Sequence, residues 1–485
     1  MATVAATDRG ALDVEVTAFV ERCASDVEYF DRASPIFVAR APGRLDVMGG
    51  IADYSGSLVL ELPLAAATLA AAQVNHEPTI TLASLVAGEV GGDDVVTIEL
   101  DALAPGGKVL AYGEARSLLA THPRRRWGAY VAGALVVLGH EKNLTIDRGV
   151  RVLIDSRVPA GKGVASSAAL EVAAMQAICS AIGVSLEGRE LAILCQKVEN
   201  LVVGAPCGVM DQMTAACGEA NRLLSLLCQP AEIVGQVSLP GGLELWGIDS
   251  GIRHEVGGAD YGAVRVGAFM GYRIIADLIG FTTAQRGAGV VDVVDPKWNG
   301  YLAQVGSGEW KRYRDHVPVE MDGASFLDRY GGITDRVVKV DRDRTYAVRQ
   351  PTEHPILEWN RVHFFRRTLE RGASSDEERA KLGAVMYESH ASYGACGLGS
   401  SGTDRLVELV RSLGVARGLY GAKITGGGSG GVVAVLARAG SRAVVEEIAD
   451  AYARESGHVA TVLGGSSEGA VGFGVVRVDP RDRGA

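Results

Sequence analysis

The chain has 485 residues, of which 47% are hydrophobic and 22% charged, which predicts a folded protein of more than one domain and excludes a largely disordered chain. Its formal net charge of −10 argues against nucleic acid or an anionic membrane as a partner, because both select for an excess of Lys and Arg. No run of about 18 uncharged apolar residues and no signal-peptide pattern occurs, and the seven cysteines form no CxxC pair. We therefore expect no membrane span, reduced thiols and a cytoplasmic location.

The first elements along the chain are a short helix and a strand. Apolar positions at helical spacing predict an amphipathic helix over residues 13–30, within an N-terminal extension at residues 1–33. These positions are Val14, Phe19, Val20 and Val27. Extended residues begin at Ile36, and from residue 34 to 245 β-type runs alternate with helical patterns, which predicts a first α+β domain.

A segment rich in glycine and serine, PAGKGVASSAA at residues 159–169, follows a strand pattern and opens a helix. The first turn of a helix leaves N–H groups unpaired and carries a partial positive charge, and glycine lets the backbone approach an anion closely. The segment therefore predicts a phosphate-binding loop, although a plain helix start has the same pattern. It is not a Walker A motif, because Gly163 and not Ser or Thr follows Lys162.

Two carboxylates after this loop are expected to lie inside the protein. A helix pattern follows the loop, with one apolar stripe of Leu191, Leu194, Cys195, Val198 and Val202. Glu199 falls at the margin of this stripe, which predicts either an inward-facing side chain or an edge salt bridge. Asp211 stands between Met210 and Met213, which predicts a half-buried carboxylate. Such a group usually has a cationic partner, and Arg44, which also lies among apolar residues, is the candidate.

The second half of the chain predicts another α+β domain, over residues 246–477, with a tail at residues 478–485. A helix pattern covers residues 359–371, and strand-like runs cover residues 430–437 and 470–478. The loop-rich stretch from 282 to 351 indicates an insertion, either functional or a structural elaboration.

A second glycine cluster, KITGGGSGG at residues 423–431, has five glycines in its last six positions. Each glycine costs conformational entropy, so the cluster indicates tight turns with positive φ or backbone held against a ligand.

Taken in order, APGRLDVMGG, PAGKGVASSAA and KITGGGSGG resemble the three signature motifs of the galactokinase, homoserine kinase, mevalonate kinase and phosphomevalonate kinase (GHMP kinase) superfamily. The segments RWGAYVAG, CQKVENLVVGAPCGVMDQM and MYESHASYGACG resemble its galactokinase branch, and MGGIADYSGSLVLELP, GIDSGIRHEVGGADY and ACGLGSSGTDRLV are most similar to the arabinokinases within it. The resemblance implies an α+β fold of two domains with the active site between them. The first domain would contain a left-handed βαβ unit beside the phosphate loop, an exception to the usual handedness, and the second would be ferredoxin-like.

The resemblance also implies roles for single residues. Asp211 would be the candidate catalytic base, with Arg44 as its charged neighbour. The ATP site would comprise Gly161, Gly163, Val164, Ala165, Ser166 and Ser167, with Trp127 near the adenine. Ser167 and Glu199 would bind Mg²⁺. The sugar would meet Gly50, Ile51, Asp53, Gly208 and Tyr261 beside Asp211 and Arg44, while Gly427, Gly428 and Gly430 would pack against the active-site backbone.

One departure from the galactokinase pattern bears on the sugar. Galactokinases read GEHTDY where this chain reads GGIADY, so Gly50 and Ile51 replace a Glu–His pair. In galactokinases this region faces the exocyclic hydroxymethyl group, which L-arabinopyranose lacks although its ring hydroxyls match those of galactose. An isoleucine leaves no hydrogen-bond partner for that hydroxyl and adds apolar bulk, which predicts a pentose.

The implied function is ATP-dependent phosphorylation of L-arabinose at its anomeric hydroxyl, giving L-arabinose 1-phosphate and ADP. Three alternatives stay open at this point. A galactokinase of relaxed specificity is one, and a uronic acid 1-kinase is another, although Gly50 and Ile51 offer no cation for a carboxylate. The third is a sugar- and ATP-binding regulator without turnover, against which the implied catalytic and metal-binding residues are all present: Arg44, Ser167, Glu199 and Asp211. The sequence carries no indication of oligomeric state.

Overall fold

The computed structural model describes residues 14–26, 28–86, 92–252 and 259–479. Its helices are α1 (Val14–Ser25), α2 (Leu100–Leu103), α3 (Tyr112–Leu119), α4 (Trp127–Glu141), α5 (Ser166–Ile182), α6 (Gly188–Lys197), α7 (Met210–Cys217), α8 (Ala259–Ile279), α9 (Ser307–Tyr313), α10 (Gly323–Tyr330), α11 (Arg349–Glu370), α12 (Asp376–Ala395), α13 (Ser401–Leu413), α14 (Arg442–Ser456) and α15 (Ala470–Phe473). Its strands are β1 (Ile36–Met48), β2 (Leu58–Asn75), β3 (Thr79–Ser84), β4 (Val95–Glu99), β5 (Gly149–Ser156), β6 (Arg222–Leu227), β7 (Glu232–Ser238), β8 (Leu243–Asp249), β9 (Thr283–Gly287), β10 (Gly289–Val293), β11 (Glu320–Asp322), β12 (Gly332–Ile333), β13 (Thr345–Ala347), β14 (Leu419–Ile424), β15 (Val432–Arg438), β16 (Thr461–Leu463) and β17 (Val475–Val478).

A large mixed sheet is built from strands of the first half of the chain and from β17 near the C-terminus, with strand order β17-β1-β2-β5-β3-β4. The long strand β2 pairs with β1 on one side and, on the other, with β6 near its start and β5 near its end. Helix α5 packs against β1 and β2, and its face is almost entirely alanine and other small apolar residues buried in the largest core cluster. The alanines let the helix approach the sheet closely, and its first turn lines the same space as the end of β5.

A second sheet, of order β14-β15-β8-β16, lies in the second half of the chain. Helices α12, α13 and α14 pack against its strands, and α11 packs on α12. Polar groups join it to the large sheet. The Lys423 ammonium on β14 lies 2.6 Å from Asp46 Oδ2 on β1, with both side chains fully buried, and the Asp46 N–H donates to Thr425 Oγ1 over 2.8 Å. The glycine cluster that follows Lys423 is thereby held against the end of β1.

The insertion folds as an extension that shares one hydrophobic core with α8, α12 and the residues after β1. Strands β9 to β13 and helices α9 and α10 form it, and the tryptophans Trp298 and Trp310 are both buried there. The insertion packs on α8 and α11. None of the helices among the described residues is long and apolar enough to cross a bilayer.

Most of the predicted elements are confirmed: α1 at the N-terminus, β1 from Ile36, the buried helix α5, and β15 over the run 430–437. The strand predicted over 470–478 is wrong in its first half, where α15 forms, and Gly474 with φ 80° ends that helix. The remaining strand, β17, pairs with β1 in the large sheet and not with the second sheet.

Some predicted features lie outside the described residues: Val27, parts of the 1–33 extension and of the 478–485 tail, and residues 253–258 of the segment GIDSGIRHEVGGADY. The division of the chain at about residue 245 stays a prediction.

Candidate active site

A cleft of about 710 Å³ opens where the start of α5, the start of α7, the residues after β1 and the glycine cluster meet. Most of the predicted site residues line it: Arg44, Ile51, Asp53, Gly161, Gly163, Ala165, Ser166, Ser167, Glu199, Gly208, Asp211, Tyr261 and Gly427. A second space, about 1410 Å³, continues from the first past Gly161, Ser166 and Ser167, and Trp127 lies in its wall. The cleft thus has two connected parts on either side of the predicted phosphate loop.

The phosphate loop, residues 159–167, is held in a conformation open to the cleft. Gly161, Gly163 and Ala165 all have positive φ, of 69°, 71° and 60°, and α5 begins at Ser166. The Arg44 N–H donates to Val164 O over 3.0 Å and Arg44 Nη1 to Gly163 O over 2.5 Å. Arg44, in the segment APGRLDVMGG, therefore fixes the loop in place. The loop in turn presents the unpaired N–H groups of the first turn of α5 to the cleft. Val164 does not line the cleft, because its side chain is buried in the core.

The glycine cluster packs against this loop, but through residues that differ from those predicted. A Cβ at Gly426 would lie 2.6 Å from Gly163 O, and one at Gly431 would overlap Lys162 O. Of the predicted glycines, Gly427 lines the cleft. Gly428 instead lies against Leu398, and Gly430, with φ 118°, turns the chain toward β15. Glycine is needed here because two backbone segments meet without room for side chains.

Arg44 and Asp211 form an ion pair at the floor of the cleft. Arg44 Nε and Nη2 lie 2.9 and 2.7 Å from Asp211 Oδ1, and Arg44 Nε lies 3.3 Å from Glu61 Oε2. Burial and the neighbouring Asp46 raise the pKa of Glu61 well above its ordinary value. The shorter contacts of the Arg44 guanidinium are those to Asp211. Both contacts use Oδ1, which leaves Asp211 Oδ2 for a ligand in the cleft.

Asp53 lies deeper in the same cleft with an unsatisfied oxygen. Its Oδ1 is buried and has no hydrogen-bond partner among the described residues. The Gly208 Cα lies directly against the carboxylate, and any side chain there would overlap Asp53 Oδ2. Burial, together with repulsion from Asp211, raises the pKa of Asp53 to about 7. A buried acceptor without a partner in a cleft wall indicates a ligand with a hydroxyl to donate.

Comparison with known proteins agrees with this geometry. Residues 129–219 match the family model of the GHMP kinase N-terminal domain, and residues 27–74 match the galactokinase galactose-binding signature. Over 93% of its length the chain is 43% identical to an L-arabinokinase of Arabidopsis thaliana, and it spans 48% of that protein, about half. It is 31% identical to a galactokinase of Streptomyces coelicolor, over 87% of this chain and 90% of that protein.

The chain belongs to the galactokinase family of GHMP kinases. The crystal structure of Lactococcus lactis galactokinase complexed with galactose has the same fold, with a TM-score of 0.71 at 19% identity, over 94% of this chain and 99% of that one. This likeness confirms the two-part GHMP kinase fold that the three motifs imply.

The structure differs at position 50 from the sequence prediction that Gly50 contacts the sugar. Gly50 does not line the cleft, because a Cβ there would overlap the Tyr393 hydroxyl and lie 2.7 Å from Asp46 Oδ2. Tyr393 Oη accepts from the Ile51 N–H over 2.9 Å and donates to Gly426 O over 3.1 Å. A sugar contact by Gly50 is therefore wrong. Tyr393 fills the space in which a side chain at position 50 would lie and fixes the backbone of Ile51, which does line the cleft.

Ser167 and Glu199, the two predicted Mg²⁺ ligands, lie together at the end of the phosphate loop. The two side chains are hydrogen-bonded, and Gln212 Nε2 donates to Glu199 Oε2 over 2.7 Å. Burial and repulsion from Asp211 raise the pKa of Glu199 to about 7, and in the described part of the chain no cationic side chain pairs with it. A buried carboxylate and a hydroxyl without a counter-charge fit a divalent cation. No cluster of three His, Cys, Asp or Glu side chains forms a metal site in the same residues, so phosphate oxygens would complete the shell.

The sequence did not predict several residues of the site. Tyr130 lines the second space one turn after Trp127, and helical spacing could have found it. Tyr393 reaches Ile51 across 342 residues, and Arg265 donates to the Cys207 carbonyl beside Gly208. Neither has a local signal, because both act through contacts that exist only in the folded chain.

Proposed function

We propose that the protein transfers the γ-phosphoryl group of ATP to the anomeric hydroxyl of L-arabinose, giving L-arabinose 1-phosphate and ADP. The observation that carries the proposal is the sugar end of the cleft, which Ile51 and Asp53 both line, and where Asp53 Oδ1 has no hydrogen-bond partner among the described residues. Identity of 43% to an L-arabinokinase, against 31% to a galactokinase, supports the pentose over the hexose.

Phosphoryl transfer needs positioning and charge neutralisation more than covalent help from the protein. The backbone of the phosphate loop and the first turn of α5 would hold the ATP phosphates, with the adenine between Trp127 and Tyr130 in the second space. Ser167 and Glu199 would hold Mg²⁺, which when bound neutralises charge on the phosphate oxygens.

Asp211 would act on the anomeric hydroxyl through Oδ2, either by accepting its proton or by orienting it toward the phosphorus. Arg44 fixes the carboxylate from behind through Oδ1. Asp53 Oδ1 would accept from a ring hydroxyl, and Tyr261, which packs edge-on against Tyr54 at 5.9 Å between ring centres, would close the side of the sugar site. Ile51 would occupy the space next to C5, where galactose carries its hydroxymethyl group.

We place the reaction in the cytoplasm. The seven cysteines are all unpaired, and five of them are buried. Such free thiols are typical of a reducing compartment.

The proposal is tested by ADP release with Mg²⁺-ATP and equal concentrations of L-arabinose, D-galactose and D-glucuronate. We expect the largest kcat/KM with L-arabinose. A preference for galactose would keep the kinase and overturn the pentose assignment. Tight binding of a sugar without sugar-dependent ADP release would indicate a regulator instead of an enzyme.

Ile51→His tests the source of the sugar preference. A histidine can hydrogen-bond a hydroxymethyl group that isoleucine cannot, so the ratio of kcat/KM for galactose over arabinose should rise by about 10-fold. Ile51→Val is the matched control, since it keeps the apolar surface and should leave the ratio within about twofold. Gly50 is left unchanged in both variants because Tyr393 occupies the adjoining space. An unchanged ratio in Ile51→His would remove Ile51 from the specificity argument.

A further inference from the structure

Arg265 on α8 and Asp335 in the insertion form an ion pair beside the sugar end of the cleft. Arg265 Nε and Nη2 lie 2.6 and 3.1 Å from the two oxygens of Asp335, and each side chain is only 6% exposed. A buried ion pair gives little net stability, because desolvation of both charges offsets their attraction. Net stability alone therefore does not explain why these two charges are buried beside the sugar end of the cleft.

Arg265 also contacts residues that neighbour Asp53 and Gly208. Arg265 Nη1 donates to the Cys207 carbonyl over 3.2 Å, and its guanidinium lies 5.4 Å from the centre of the Tyr54 ring. Cys207 precedes Gly208, whose Cα lies against the Asp53 carboxylate, and Tyr54 follows Asp53 in the chain. Arg265 thus touches the segments on both sides of Asp53.

Arg265 itself does not line the sugar cleft. It faces a groove on the far side of residues 207–208, which is walled by residues of the insertion. One helical turn earlier on α8, Tyr261 does line the cleft. Within the described part of the chain, Arg265 can therefore act on a sugar through Gly208, Asp53 and Tyr54. Its own orientation depends on Asp335, which accepts from the Val337 N–H over 3.1 Å.

We propose that the Arg265–Asp335 pair is a positioning device for the sugar site, and that through Asp335 the insertion takes part in sugar binding. The inference rests on the proposed function, since it concerns the same sugar site. Asp335 orients the guanidinium, the guanidinium holds the Cys207 carbonyl, and this contact sets the separation between Gly208 and Asp53. Among the described residues, none of those that line the nucleotide space also lines the groove that Arg265 and Asp335 face.

The test replaces the pair by apolar residues of similar size in the full chain, as Arg265→Met with Asp335→Leu, alongside both single variants. The matched control neutralises an exposed ion pair of the same insertion, Arg342 with Asp328 at 2.8 Å, as Arg342→Gln with Asp328→Asn. KM for sugar and for ATP, kcat, the sugar Kd by calorimetry, and the melting temperature are measured for each.

We expect the apolar double variant to keep or raise its melting temperature, because an apolar pair replaces two desolvated charges. Its KM and Kd for sugar should rise by about 10-fold while the KM for ATP stays within about twofold, since only the sugar side loses its positioning contact. The control should match the wild type. A well-folded double variant with unchanged sugar KM would overturn the proposal, as would equal rises in both KM values.

The outcomes separate this inference from the proposed function. The assay uses the sugar that the wild type prefers, so preference for galactose changes the substrate and leaves the test of the pair intact. Sugar binding by the wild type without ADP release would overturn the proposed function alone, and the Kd values would still decide the role of the pair. A wild type that binds none of the monosaccharides would overturn the inference as well.

Discussion

Asp211→Asn is expected to lower kcat by about 10²–10⁴-fold, the range found when a positioned acid–base group is removed. The asparagine keeps the size of the side chain, and its Oδ1 can still accept from Arg44, which lies 2.9 and 2.7 Å from that oxygen in the wild type. The variant loses the carboxylate charge and the basic Oδ2, which Arg44 does not contact. The sugar Kd should therefore stay within about threefold of the wild-type value.

Glu61→Gln is the matched control for this substitution. Glu61 contacts the same guanidinium at 3.3 Å but is fully buried and does not line the cleft. Because burial and Asp46 raise the pKa of Glu61 well above its ordinary value, a neutral glutamine should replace it with a kcat within about threefold of wild type. Equal losses in both variants would assign the effect to the charge balance of Arg44, and a nearly active Asp211→Asn would remove Asp211 from catalysis.

The parts of the site that the sequence predicts are those with a local cause. The phosphate loop is predictable because positive φ at Gly161 and Gly163 and a helix start at Ser166 follow from neighbouring residues alone. The helix α5 and strand β15 are predictable because their continuous apolar and small residues mark segments that the fold buries. Asp211 with Arg44 follows from a weaker rule, that a charge placed among apolar residues needs a partner.

The parts that it does not predict depend on distant segments meeting. Nothing in the sequence near Gly50 indicates that a tyrosine from α12 takes the space beside it. The sequence pattern alone therefore predicts that the sugar occupies that space. The run 470–478 is apolar enough for a strand, but the end of α15 and the pairing of β17 with β1 are set by Gly474 and by the free edge of a strand more than 400 residues away. Arg265 and Asp335 are 70 residues apart and unremarkable in sequence.

Asp53→Asn is expected to weaken sugar binding by about 10- to 100-fold, because a charge-assisted hydrogen bond to a buried carboxylate is replaced by a neutral one. The same variant should be more stable than the wild type at neutral pH. Burial and Asp211 raise the pKa of Asp53 from 3.8 to about 7, which means that folding disfavours the charged form. An amide carries no charge to bury, so Asp53→Asn should stabilise the fold although it weakens sugar binding.

The sign of the pH dependence follows from the direction of this shift. Between pH 4 and 7 the folded wild type keeps a proton on Asp53 that the unfolded chain releases, so this residue lowers the free energy of unfolding as pH rises through that window. Above pH 7 the loss is complete, and there the Asn variant should be more stable by about 1–4 kcal/mol. At pH 4 the two proteins should melt alike. The measurement is the melting temperature of both proteins at pH 4, 6 and 8.

Sugar binding should show the opposite sign in the wild type alone. Protonation of Asp53 below pH 7 removes its strongest acceptor, so the wild-type sugar Kd should rise as pH falls from 8 to 6, while that of Asp53→Asn stays flat. Calorimetry without nucleotide or Mg²⁺ keeps the result specific to the sugar end, because Glu199, whose pKa is also raised to about 7, lies at the metal end of the cleft. Parallel pH profiles in the two proteins would assign the titration to another group and remove Asp53 from the sugar site.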